Sequence, residues 1–158
     1  MPLTAIVIDD RTLERGSEAQ RIEWEANVRE LLAKAGGSID QPATLHVSVT
    51  EQGFGLELQT EDGRVLETVA IPHQLLSGHI TEYVDIVRQI AEAEGINQME
   101  ALDMAKKVTH DRAGRVLKRE LRPFGLDLEA ARRLFTLLLS LRVDTTRLTG
   151  VHGHRTIR

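Results

Sequence analysis

The chain has 158 residues, a formal net charge of -4 and no cysteine. That length fits one domain able to bury a core without staples, and the missing cysteine excludes a disulfide framework, a thiolate zinc site and a thiol nucleophile together. The small net charge conceals an asymmetry: residues 1–103 carry 19 Asp and Glu against 7 Lys and Arg, residues 104–158 carry 5 against 13.

The N-terminal stretch "LTAIVID" at residues 3–9 is short and β-branched, which predicts a strand. It has no basic start, and Asp9 and Asp10 follow at once, so it reads as structure and not as a targeting signal. From Ser17 the pattern changes. Trp24, Val28, Leu31, Leu32 and Ala35 form one stripe of a 3.6-residue helix that Gly36 and Gly37 are expected to stop. Three alternating runs follow, "TLHVSV", "FGLELQ" and "RVLETVAI", separated by "TEQG" at 50–53 and "TEDG" at 60–63. They predict an antiparallel meander with one wet face, each glycine supplying the positive φ of a tight hairpin.

Beyond Pro72 the pattern is helical. Ile80, Tyr83, Val84, Val87, Ile90 and Ala91 make a stripe ended by Gly95, and Asn97 is placed to cap a third helix carrying "EALDMAKKVTHDRAG". On that helix Ala101, Met104, Ala105 and Val108 read as the inward side, with "HDRAG" as a candidate break and Gly114 as a point of close approach. Pro123 and Gly125 close the region, and Asp127 is placed to cap "LEAARRLFTLLLSLR". Leucines and Phe135 surround this last helix, which predicts a buried element, central to the fold or shared with a second subunit. The expected architecture is therefore α+β, a three- or four-stranded antiparallel sheet packed against about four helices. Residues 1–143 form one domain and 144–158 a flexible tail.

The longest apolar run, "LFTLLLSL", is far short of the roughly 20 residues that cross a bilayer. With no thiol and no signal, the chain reads as cytoplasmic, with no membrane partner. P-loop, dinucleotide-binding, zinc-protease and serine-hydrolase motifs are all missing. That leaves the catalytic residues, metal and cofactor unknown.

One cluster carries chemistry. Glu100, Asp103, Lys107, His110 and Asp111 share one side of the third helix, so carboxylates and an imidazole can converge to hold a divalent metal or act as an acid and base pair. Opposite the apolar stripe, the same residues also read as a solvated face, and that reading carries more weight. Arg132 and Arg133, near the start of the last helix, add a fork suited to carboxylate or phosphate, or to a salt bridge with the acidic half. The basic run Lys106, Lys107, Arg112, Arg115, Lys118, Arg119 and Arg122 suits phosphates. Its members spread round the helix without one clean face, and no aromatic residue interleaves for a base to stack on, so docking on the acidic N-terminal helix, within or between chains, is the simpler account. His152 and His154 flank a glycine near the C-terminus, while His46, His73 and His79 lack a nameable partner.

The segments "EALDMAKKVTHDRAG" and "LDLEAARRLFTLLLSL" resemble the C-terminal half of uncharacterised protein family 0262, a set of alphaproteobacterial proteins. Glu100, Ala101, Asp103, Met104, His110 and Gly114 fit its first pattern, and Ala131 to Leu137 fit its second. The likeness extends more loosely over most of residues 1–142. It departs at Asp111-Arg112-Ala113-Gly114, where the family reads Asn-Glu-Gly. It implies an origin and a fold but no reaction.

Three functions follow as expectations. The leading one is a non-catalytic interaction or regulatory module, a homodimer joined partly through the last helix. The second is an enzyme or an anion- or metal-binding protein using Asp103, His110, Asp111 and Arg132 or Arg133. The third is nucleic-acid binding through residues 106–122, which is not favoured.

Overall fold

The computed structural model describes residues 3–9, 16–34 and 42–148. The expected glycine stop at Gly36 and Gly37, and the pair His152 and His154, lie outside the described residues. Four strands, β1 (Leu3–Ile8), β2 (Ala43–Val49), β3 (Gly53–Thr60) and β4 (Val65–Pro72), form one sheet in the order β1-β2-β3-β4. Four helices accompany it: α1 (Glu18–Lys34), α2 (His73–Ala91), α3 (Ile96–Glu120) and α4 (Leu128–Arg142).

The meander β2-β3-β4 is antiparallel as expected, but β1 pairs parallel to β2, so the sheet is mixed. The cause is α1. A helix between two strands returns the chain to the end it started from, and the second strand then runs alongside the first. Alternation sorts the two faces of the meander. Ala43, Leu45 and Val47 on β2 and Phe54, Leu56 and Leu58 on β3 are buried, while the residues between them are partly exposed. The turn glycines do different jobs. Gly63 takes a positive φ of 91°, as a hairpin requires, whereas Gly53 does not.

Helix α1 opens on a reciprocal cap: Ser17 Oγ accepts from the Gln20 N–H, and Gln20 Oε1 accepts from the Ser17 N–H. Its Trp24, Val28, Leu31 and Leu32 stripe turns inward. The Trp24 indole donates to the Ser140 carbonyl at 2.9 Å, which fastens α1 to α4. Helix α2 starts directly after Pro72 and buries Leu76, Val84, Val87 and Ile90. Gly95, expected to end that stripe, is instead the N-cap of α3 at φ 89°, so Asn97 caps nothing.

At α4 the Asp127 carboxylate accepts from the Ala130 N–H at 2.8 Å. The α4 residues Leu134, Phe135, Leu137, Leu138, Leu139 and Leu141 are all buried, in one cluster with the inner face of the sheet and with Leu76, Val84 and Leu117. The helix is central: α1 and α3 pack on it, and the chain itself covers its apolar sides. Within the segment expected as a tail, residues 145–147 form a 3-10 turn that buries Thr145, and Leu148 joins the core.

Candidate functional site

Helix α3 is one unbroken element through "HDRAG". Its buried residues are Thr109, Ala113, Gly114 and Leu117, so the side expected to face inward faces out: Met104 is 62% exposed and Val108 43%. The face read as solvated instead carries His110 and Asp111 against α4. The reason is close packing. A Cβ on Gly114 would stand 2.6 Å from Arg132 Cγ and 3.4 Å from Arg132 Cα, so only hydrogen lets the two helices approach this far.

That approach places His110 over the second turn of α4. The imidazole Nε2 lies 2.9 Å from the Arg132 carbonyl and 3.1 Å from Thr136 Oγ1. A carbonyl can only accept, so Nε2 carries the proton and shares it between the two oxygens. The Tyr83 and Phe135 rings close over the imidazole with centroids 5.8 Å away. Burial, opposed by the Arg132 carbonyl and reinforced by the charges of Arg132 and Arg133, holds the His110 pKa below the ordinary 6.5. Tyr83, on the far side, is raised above its usual value by the same loss of water.

The charged groups knit the rim. Asp111 Oδ1 is 3.2 Å from Arg132 Nε, a pair held by charge, with the N–H not directed along the contact. Glu129 reaches Arg132 at 3.5 Å and Arg133 at 3.0 Å. Arg133 also meets Glu30 of α1 at 3.7 Å, the salt bridge to the acidic half that the sequence suggested. Glu100 and Asp103 stay apart from this group: both are exposed, and neither side chain makes an ion pair or hydrogen bond with a described residue. Of the six candidate residues, the structure thus unites His110, Asp111, Arg132 and Arg133. Among the described residues, no three of His, Asp and Glu could hold a metal ion together.

Sequence reasoning missed Thr136 and Tyr83. Thr136 had a signal, since a hydroxyl inside an otherwise greasy "LFTLLL" needs a partner. His73 has one too: its Nε2 donates to the Thr50 carbonyl at 2.7 Å, and Phe54 meets its ring edge-on at 5.2 Å.

Within the chain Arg112 pairs with Glu82 of α2 at 3.4 Å, and α1 packs on α4, so the basic run does not dock on its own acidic helix. Arg115, Lys118, Arg119 and Arg122 do share a face, around one surface hollow.

A neutral, partly buried imidazole predicts a pH effect. Because the folded pKa lies below the unfolded one, the unfolded chain takes up the proton first, and stability present above pH 6.5 is lost as pH falls. Urea unfolding of His110→Gln is expected to show a shallower fall of stability just below about pH 6.5 than the wild type, by up to about 1.4 kcal/mol per pH unit. Equal slopes would show that His110 titrates alike in both states.

Fold and contact together define an α+β protein of a mixed four-stranded sheet and four helices, with a histidine clasp joining the last two. The chain belongs to the uncharacterised protein family UPF0262, whose model matches residues 1–144. A UPF0262 protein of Hyphomonas neptunium is 29% identical over 156 residues, covering 94% of this chain and 96% of the relative. One from Xanthobacter autotrophicus is 28% identical, covering 88% and 90%, and one from Rhodopseudomonas palustris is 26% identical, covering 86% and 88%. No solved structure matches the chain. Among the described residues no helix is long and apolar enough to cross a membrane.

Proposed function

We propose that this protein is a non-catalytic cytoplasmic interaction module that pairs with a second copy of itself through the outer side of α3. One observation carries the reading: Met104 and Val108, one turn apart on the outer side of α3, are 62% and 43% exposed, with Ile96 and Met99 also exposed at its start. Adjacent exposed apolar groups suit a contact surface. The charges along α3 fit a self-pairing. Glu100 and Asp103 lie before and beside Met104, while Lys106 and Lys107 follow it. Two copies crossing antiparallel near Met104 bring the acidic half of each over the basic half of the other, as an isologous interface requires.

A reaction at the His110 cluster has less support. The His110 Nε2 proton is engaged by α4, and Arg132 and Arg133 already hold three carboxylates between them. Such a group fixes one helix on another.

Light scattering of the full chain at micromolar concentration is expected to give twice the 17.6 kDa chain mass. Met104→Glu with Val108→Glu, two exposed positions, is expected to give a single chain mass with unchanged circular dichroism. A wild type that is strictly monomeric overturns the proposal.

A further inference from the structure

We infer that the hollow between the end of α3 and the start of α4 is a binding site for a small phosphate-bearing ligand. Its volume is about 490 Å³, within the range of small-molecule sites. Arg115, Lys118, Arg119 and Arg122 line it together with Leu126 and Leu128, and no carboxylate does. The sequence places the first three at i, i+3 and i+4 on one helical face, and Arg122 continues that face into the 3-10 turn Arg122–Phe124.

These four cations are gathered round one hollow with no carboxylate in its lining, whereas Arg112, Arg132, Arg133 and Arg147 each meet a carboxylate. Around the hollow only Arg119 has one, its neighbour Glu120 at 3.8 Å. Among the described residues Arg115, Lys118 and Arg122 make no ion pair. Helix-end electrostatics accounts for part of this, since Lys118 and Arg119 lie in the last turn of α3, where the carbonyl ends favour cations. It does not account for Arg115, a turn earlier, or for Arg122, beyond the helix. Four like charges facing one concavity repel one another, and a multiply charged anion removes that repulsion while accepting several charge-assisted hydrogen bonds.

The lining also narrows the ligand. It holds no aromatic side chain, so a base would find no stacking partner. The leucines give an apolar wall for a short carbon skeleton. The cations surround a pocket and do not run on as a stripe, because Arg112, the next one back along α3, is turned to Glu82. A compact organic phosphate fits these features better than a nucleic-acid backbone, which needs an extended track.

Isothermal titration calorimetry of the full chain with inorganic pyrophosphate at low ionic strength tests the assignment. Saturable binding is expected. Lys118→Glu with Arg122→Glu, both exposed and expected to leave circular dichroism unchanged, should weaken it at least about tenfold. Arg64→Glu with Arg88→Glu, the same charge change away from the hollow, should leave it within about threefold. No binding, or an equal loss in both pairs, overturns the site. Tighter binding of a labelled duplex RNA or DNA, with affinity falling steeply with salt and lost in the first pair, overturns the small-ligand assignment in favour of a nucleic-acid surface. The inference rests on the non-catalytic reading only in that the ligand is held and not converted. Release of inorganic phosphate during the titration would sink that reading while supporting the site, and failure to bind would leave the α3 pairing untouched.

Discussion

Adding one methyl group at Gly53 is expected to lower the melting temperature by roughly 6 to 12 °C, the consequence of about 3 kcal/mol or more of overpacking in a chain of this length. Gly53 pairs with Pro72 across the β3–β4 ladder. A Cβ there would stand 2.0 Å from the Ile71 carbonyl oxygen and 2.9 Å from both Ile71 C and Pro72 Cα. These are backbone atoms, so no rotamer change relieves the clash and the strands must part. Parting them also disturbs the entry to α2, where Gln52 and Thr50 carbonyls accept from the His73 backbone and ring. Gly63→Ala separates space from conformation. Nothing lies within 4 Å of its Cβ, but its φ is +91°, so the expected cost is about 1 to 2 kcal/mol. Thermal unfolding of the two variants side by side checks the order. If Gly53→Ala melts at or above Gly63→Ala, the contact at Ile71 is not limiting.

Much of the fold was legible in the chain because its elements announce themselves by period. The alternation in "TLHVSV" and "FGLELQ" marks which residues of β2 and β3 are buried, and the ring of leucines on α4 marks the central helix. The direction of β1 was less accessible, because a short β-branched run looks the same in either orientation and only the α1 crossover decides it. At 50–53 the glycine was visible, but its reason was not. A space requirement and a φ requirement select the same residue.

Helix α3 shows where an amphipathic reading goes wrong. Hydrophobic patterning favours large side chains, and Met104 and Val108 are the larger apolar groups, so they mark a false inward face. The packed partner, α4, already fills the contact with Phe135 and the stem of Arg132. What α3 can bring there is small: Thr109, Ala113 and Gly114, with His110 as a flat ring among them. An inner face made of small residues and a histidine has little hydrophobic signal, though the helix contact depends on it. For the same reason only part of the candidate cluster comes together. His110 and Asp111 meet Arg132 because they lie on the packed length of α3, whereas Glu100 and Asp103 are exposed on its first turns.

Phe135 is where these helices share one contact, and Phe135→Ala is expected to cost about 3 to 5 kcal/mol, read as a lower urea midpoint at unchanged slope. The ring is fully buried, meets Tyr83 edge-on at 6.0 Å and stands 5.8 Å from the His110 ring, so α2, α3 and α4 all lose packing with it. A milder change isolates its effect on the imidazole. Phe135→Leu keeps the site apolar but leaves room beside His110 for water. Desolvation is the largest influence on His110, ahead of the Arg132 carbonyl and the neighbouring arginines. Partial rehydration should therefore carry its pKa back up toward 6.5, measured by following the imidazole resonances against pH in both proteins. The sign decides between causes. An upward move assigns the depressed value to the aromatic cover, whereas an unchanged or lower value assigns it to the positive charges of Arg132 and Arg133, which the substitution leaves in place.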